Sequence, residues 1–357
     1  MATNISSQQR GYILPLILLA AAATTSVPLS IAYLAHKIVA PVHSSYQPTV
    51  GVIDQLSPYC TTALRVPVGP PNAVLSVIIV YPWLKTHHAG FSSSVGKCVK
   101  SAPHKLPVKG TILALPGYGL PKATLLPYST LFAAHGYQTI LVDLRAQGQS
   151  TGNHIGYGKQ EAKDLTQLLH HLRQHGLVTG KLGLFGISYG AAVALDTAAI
   201  EKRITAVVAV GAFAQVAPVI HQFIAVSDPE LASKISAAEL KQAISDAGRL
   251  VGYPLNQSDP LKVVSAIDAP VLYVAGAKDT ISPLSGIRAL AEKTCYAHVV
   301  VKRDANHLVL ASDPALVEKD ALQWFNRFLV SHKPINHPQN AEPVDMQGTL
   351  RTRPATS

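Results

Sequence analysis

The chain has 357 residues, enough for one large or two small domains, with 30 Lys and Arg against 20 Asp and Glu and a formal net charge of +10. The basic residues are scattered and no aromatic-interleaved strip accompanies them, which excludes nucleic acid as the natural partner. An anionic membrane surface or acidic substrates suit that charge better.

Residues 12–35, from Tyr12 to Ala35, carry no charged side chain, and Arg10 and Lys37 bracket them. As one helix of about 24 residues they would extend roughly 36 Å, against a hydrocarbon core of about 30 Å. Thr24, Thr25, Ser26, Pro28 and Ser30 interrupt the run, so a cleaved signal with an Ala21-x-Ala23 site competes with an uncleaved anchor. Either delivers the rest of the chain outside the cytoplasm, membrane-anchored or exported. We take residues 1–37 as this anchor or signal segment.

Residues 38–107 read as an irregular, Pro-rich lead-in. Within it Ala73–Tyr81 is predicted to be an antiparallel edge strand. Cys60 and Cys98 both fall here; a bridge between them suits an exported protein, and two free thiols fit the residues equally. Cys295 has no histidine at catalytic spacing and is read as structural.

From residue 108 the pattern becomes βαβα. Strands are predicted at 111–115, 139–142, 181–185, 206–210, 271–275 and 297–301, and helices near 123–135, 159–174, 189–200, 285–294 and 313–330. Leu165, Leu168, Leu169 and Leu172 form a core-facing stripe on the second of these helices. The alternation predicts an α/β domain over 108–330, a mostly parallel central sheet with helices on both faces. About residues 212–265 interrupt it as an insertion, long enough for two or three short helices. The tail, 331–357, has four prolines and few apolar residues and reads as disordered.

The chemistry is carried by Gly186-Ile187-Ser188-Tyr189-Gly190, which follows an apolar strand and precedes an alanine-rich helix. In that setting Gly-x-Ser-x-Gly forms a nucleophile elbow, with glycine on both sides because the turn leaves no room for side chains. The elbow requires an acid and then a histidine further along the chain. Asp279 lies in the loop after the predicted strand 271–275, and His307 in the loop after 297–301. Successive parallel strands put both loops on the same sheet edge as Ser188. The oxyanion donors are read as the backbone amides of Tyr189, just after the serine, and Tyr118, in the turn Pro116-Gly117-Tyr118-Gly119 after the first core strand.

These stretches, with Gly136–Ser150, Gly276-Ala-Lys-Asp279 and Asn306-His307, resemble the α/β-hydrolase superfamily in its serine aminopeptidase-like and monoacylglycerol-lipase-like branch. The resemblance spans about residues 108–330. Two positions depart from it: Pro116 stands where a histidine is usual, and Arg145-Ala146-Gln147-Gly148 stands for the usual Arg-Gly-His-Gly. Neither removes a member of the triad. The resemblance implies that the insertion is a lid shaping an apolar pocket, with Phe213, Val219, Phe223 and Tyr253 as candidate walls.

The expected function is a serine hydrolase acting on a carboxylic ester or related small acyl compound. Ser188 is the expected nucleophile, His307 the base and Asp279 its orienter. A serine aminopeptidase-like activity stays open, although the insertion shows no acidic cluster to hold a peptide amino terminus. A membrane-tethered binding protein of the same fold has no reason to keep all three triad residues. A dehalogenase-like reaction needs a carboxylate where Ser188 stands. No cofactor or metal is expected, since the histidines lack ligand spacing with carboxylates or cysteines. Oligomeric state is not legible.

Overall fold

The computed structural model describes residues 31–41, 58–84 and 108–330. Its centre is an eight-stranded sheet in the order β1-β2-β4-β3-β5-β6-β7-β8. The strands are β1 (Tyr59–Val68), β2 (Ala73–Leu84), β3 (Thr111–Leu115), β4 (Gln138–Val142), β5 (Leu182–Ile187), β6 (Ile204–Val210), β7 (Val271–Gly276) and β8 (Ala297–Lys302). From β4 to β8 every pairing is parallel, and the β1–β2 and β2–β4 pairings are antiparallel.

The parallel strands are unbroken apolar runs because helices cover both their faces. Alternate residues sort into two cores. Leu113, Ile140, Leu184, Val207 and Tyr273 face helices α3 (Lys159–Gln174) and α4 (Tyr189–Ile200). Ile112, Leu141, Phe185, Val208 and Leu272 face α2 (Leu126–Ala134) and the carboxy-terminal helix α11 (Glu318–Phe325). The stripe Leu165, Leu168, Leu169 and Leu172 is fully buried in the first core, as its spacing predicts. Helix α4 is buried along nearly its whole length, Asp196 and Thr197 included; its alanines let it lie close against the sheet.

Two sequence expectations need correction. Ala73–Tyr81 is not an edge: β2 lies between β1 and β4, and β1 takes the edge. Edge position explains why β1 escaped notice, since exposed Ala63, Arg65 and Pro67 interrupt its apolar pattern, and a proline is tolerated where no ladder partner waits on one side.

The second correction concerns the amino-terminal apolar run. Its last part forms α1 (Ile31–Val39), which buries Leu34, Ala35, Ile38 and Val39 and packs against α7 (Ala237–Val251). Residues 31–35 are therefore docked on protein. Among the described residues no helix is long and apolar enough to cross a membrane. The remainder of the predicted segment, residues 12–30, lies outside the described residues, as do Cys98 and the tail from 331. Cys60 is disulfide-bonded and Cys295 is a free, exposed thiol.

Between β6 and β7 the chain forms α5 (Val216–Ser227), α6 (Pro229–Lys234), α7 and the short α8 (Pro260–Val263). Sequence sets these limits: Asp228 caps α6 through the Leu231 amide, and Ser236 and Glu239 form a reciprocal box at the start of α7. Helix α7 ends at Gly252 in the left-handed conformation. Helix α5 carries no Asp, Glu, Lys or Arg and buries only Val216 and Ile220, so most of its apolar surface is open or half open. After β7 and β8 come α9 (Leu284–Lys293) and α10 (His307–Ser312).

Candidate active site

Ser188 sits between β5 and α4 with φ 54° and ψ −114°, the left-handed strain of a sharp elbow. The flanking glycines are required by close approach. A methyl group on Gly186 would overlap the Gly190 carbonyl, and one on Gly190 would overlap the Leu115 carbonyl. The Ser188 amide is anchored to the Val210 carbonyl of β6 at 2.7 Å.

Asp279 leaves the end of β7 in a tight turn. Its Oδ1 accepts the amides of Ile281 at 2.9 Å and Ser282 at 2.8 Å, which leaves Oδ2 directed at His307. His307 opens α10, whose cap is the Asn306 side chain accepting from the Val309 amide at 2.9 Å. The two loops are stitched together, with Ala277 N–H donating to the Lys302 carbonyl and Lys278 N–H to the Ala305 carbonyl, both at 3.0 Å. Gly276 permits this approach, because a side chain there would meet the Ala305 carbonyl.

The three side chains form one hydrogen-bonded line. His307 Nδ1–H donates to Asp279 Oδ2 at 2.7 Å, and Ser188 Oγ–H donates to His307 Nε2 at 2.8 Å. That chain of partners assigns the tautomer: with Nδ1 as donor to the carboxylate, Nε2 is the acceptor. The Asp279 side chain is almost wholly buried (1% exposed) and that of His307 keeps 14% exposure, so the base faces the site while its orienter is shielded.

Both amides singled out as oxyanion donors are available. The Tyr189 N–H begins α4 and has no intrahelical acceptor, and among the described residues the Tyr118 N–H has no acceptor either. The neighbouring Gly119 N–H is not available, since it donates to Gln147 Oε1 at 2.5 Å. Lys122 and Asp143, an ion pair at 2.5 Å buried behind this turn, fasten its far end; the Lys122 amide donates to Asp143 Oδ1 at 2.6 Å. Sequence reasoning passed over both contacts, although the Arg145-Ala146-Gln147-Gly148 departure marked the place.

The four candidate wall residues separate. Phe223 of α5 lies over the oxyanion turn, its ring centroid 5.4 Å from that of Tyr118, and it is 40% exposed. Val219 is half-buried against the core. Phe213 is buried and packs on Tyr157. Tyr253 is spoken for: its hydroxyl donates to the Gly156 carbonyl at 2.9 Å and Lys159 Nζ stands 5.0 Å from its ring centre. Phe213 and Tyr253 thus pack and hold loops. Gln222, also on α5, was not anticipated; its side-chain amide faces the carbonyls of Ile281 at 2.6 Å and Thr280 at 3.0 Å, two acceptors that assign the nitrogen to that side as donor. Helix α5 therefore reaches from the oxyanion turn to the loop that carries Asp279.

Beneath α4 lies a buried polar group. Glu161 accepts the amides of Gly156 at 2.7 Å and Gly158 at 2.9 Å. Burial raises its pKa against the pull of those two amides. Asp196 of α4 is also buried, and among the described residues its Oδ2 has no partner. Burial pushes its carboxyl well above the usual range, reinforced by the nearby carboxylates of Glu161 and Asp259. Among the described residues no group of His, Cys, Asp and Glu is arranged to hold a metal ion.

Comparison with known proteins agrees with this architecture. Residues 32–249 match the model of the X-Pro dipeptidyl-peptidase (S15) family. The chain is 30% identical over 199 residues to an uncharacterized protein, YqkD, of Bacillus subtilis (strain 168), a match covering 54% of this chain and 62% of that one. A polyketide transferase from a Penicillium species, GrgF, is 34% identical over 104 residues, 28% of this chain and 35% of that one. The chain thus spans less than two thirds of the length of either relative. Among solved structures, the Pyrococcus furiosus esterase Pf2001 superposes with a TM-score of 0.60 at 17% identity, over 82% of this chain and 98% of the esterase. The sheet is that of the α/β hydrolases, and with a family match over more than half its length the chain belongs to the X-Pro dipeptidyl-peptidase (S15) family.

Proposed function

We infer that the protein is a serine hydrolase that cleaves a carboxylic ester or related acyl compound through an acyl-enzyme. The supporting observation is the line Asp279–His307–Ser188, with both hydrogen bonds under 3 Å. Ser188 Oγ attacks the acyl carbonyl as His307 Nε2 takes its proton, and Asp279 stabilises the resulting imidazolium. The amides of Tyr118 and Tyr189 receive the negative oxygen. His307 then gives its proton to the leaving alcohol or amine, and water repeats the sequence to release the acid. Helix α5 serves as a lid, with Phe223 over the oxyanion turn and Gln222 on the acid loop.

The family match favours a second reading, a peptidase that acts on a chain with a free amino terminus. Against it, the carboxylates gathered at α4 do not offer themselves to a substrate amine: Glu161 and Asp196 are buried, and Glu161 already accepts two amides. The uncharged residues 12–30 and the disulfide at Cys60 support a membrane-anchored or exported location, which protease protection in intact cells would test.

The test of mechanism is fluorophosphonate labelling of the full chain, wild type beside Ser188→Ala, followed by a p-nitrophenyl ester series and Gly-Pro-p-nitroanilide. Labelling should vanish with Ser188 while the fold persists. A Ser188→Ala protein with wild-type turnover would remove the mechanism. Efficient cleavage of the anilide that is lost on acetylating its amino terminus would decide for the peptidase reading.

A further inference from the structure

We propose that Gln147 is a positioning residue for the oxyanion turn, pinning the turn through its Gly119 amide and so holding in place the adjoining peptide unit that carries the Tyr118 amide. The inference rests on the serine-hydrolase reading of the same site.

The turn has two conformations to choose between. Leu120 N–H donates to the Gly117 carbonyl at 3.2 Å, closing a four-residue turn with Tyr118 and Gly119 at its centre. Gly119 has φ +68°, and Tyr118 is not among the residues with positive φ, so the turn is type II. Type I and type II turns differ by a flip of the central peptide, and glycine in the third position accepts either. A group outside the turn must decide. The N–H of that central peptide is the one on Gly119, and its acceptor is Gln147 Oε1 at 2.5 Å.

Gln147 is itself held rigidly. Its N–H donates to the Leu144 carbonyl at 3.1 Å and its carbonyl accepts from Ser150 N–H at 3.0 Å. Ala146 and Gly148 on either side take φ of 55° and 53°. Arg145 is clamped by Asp164 at 2.6 and 2.9 Å and donates to the Pro71 carbonyl at 2.9 Å, so the loop cannot drift. The side-chain amide cannot be turned round, because its NH2 would then oppose the Gly119 N–H, donor to donor.

One further observation sets this residue apart from a packing residue. Gln147 is fully buried, yet its Nε2 has no partner among the described residues. A buried donor left unpaired lowers stability, so packing alone does not account for an amide at this position. The amide is retained at a cost to the fold, and the one bond it makes is to the oxyanion turn. Stability given up at a functional position is the expected mark of such a residue.

The test compares full-length wild type, Gln147→Met and Gln147→His for melting temperature, fluorophosphonate labelling rate, and kcat and KM on an ester that the wild type turns over. Gln147→Met keeps the length and removes the acceptor; it exchanges the unpaired Nε2 for an unpaired Gly119 N–H, so it should melt close to wild type and hold KM within about twofold. Its kcat and labelling rate should fall roughly ten- to hundredfold, short of the loss of a whole oxyanion donor. Gln147→His restores a ring-nitrogen acceptor and should recover much of that loss. Should Gln147→Met fail to fold, Gln147→Leu takes its place. A labelled wild type matched in rate by the apolar variant would overturn the proposal alone. A kcat loss that histidine does not relieve would also overturn it. A wild type that neither labels nor turns over would overturn the hydrolase reading and this proposal with it.

Discussion

The hydroxyl of Tyr118 donates to the backbone carbonyl of Lys37 at 3.1 Å, joining the oxyanion turn to the end of the amino-terminal helix α1. Burial raises the phenol's pKa far above neutrality, so it remains a donor. Two further bonds act in parallel: Tyr157 donates to the Ile38 carbonyl at 3.0 Å and the Ile155 amide to the Val39 carbonyl at 2.8 Å. The last carbonyls of a helix have no partner within it, and here the catalytic domain supplies them. Helix α1 is in this sense part of the site.

Removing residues 1–39 should therefore lower the rate of fluorophosphonate labelling by on the order of tenfold or more, because small displacements of a positioned donor are costly. Tyr118→Phe keeps the ring against Phe223 and loses only the bond to Lys37, which should cost about 1 kcal/mol of stability. Labelling rates and thermal melts of the two variants separate the contribution of the helix from that of the single bond. Equal labelling by the truncated and full chains would show that α1 is a passive neighbour.

Asp279→Asn tests the orienting carboxylate. An asparagine can keep its oxygen on the Ile281 and Ser282 amides, but it then presents NH2 to His307 Nδ1 and forces the wrong tautomer. Turnover should fall by about four orders of magnitude with little change in melting temperature. Steady-state kinetics beside calorimetry gives both numbers, and near-normal turnover would show that His307 needs no carboxylate.

Asp196 provides a pH prediction. Its folded-state pKa is raised by burial first and then by Glu161 and Asp259, with Lys159 opposing, so the folded protein holds this proton more tightly than the unfolded chain does. Its contribution to stability is then complete below the unfolded carboxylate pKa and is lost as pH rises through the folded value. Asp196→Asn removes the charge from a buried site where, among the described residues, Oδ2 has no partner. It should flatten the fall of melting temperature with rising pH and stabilise the protein at pH 8 by about 1–2 kcal/mol. Thermal melts between pH 4 and pH 8 check this; parallel curves for the two proteins would place the titration elsewhere.

Much of the parallel sheet was legible because strands covered on both faces have to be apolar, and Leu182–Ile187 or Val271–Gly276 have few other roles open to them. The placement of Ser188, Asp279 and His307 at strand ends was legible for the same reason. Contacts across the chain were not. Nothing local to Gln147 says that its oxygen meets the Gly119 amide, and nothing local to Lys37 says that its carbonyl meets Tyr118. The uncharged run at 12–35 illustrates a different limit. Its last residues are as apolar as a membrane segment requires, yet α1 lays them against α7, and composition does not distinguish a lipid partner from a protein one. Two of the wall residues on the insertion, Phe213 and Tyr253, show the same limit, since an aromatic ring that packs a lid and one that lines a pocket are the same residue type.

The triad is unevenly supported by the sheet. Ser188 follows β5, with four strands on one side and three on the other, whereas His307 follows β8, the outermost strand, whose residues are half-exposed or exposed throughout. Edge segments with solvent-facing hydrogen bonds are the ones that open first in native-state fluctuations. Amides of β8 should accordingly exchange their hydrogens well before those of β5. Gentle heating should silence the enzyme while most of its core is still closed, because the base is lost to solvent before the nucleophile leaves its elbow.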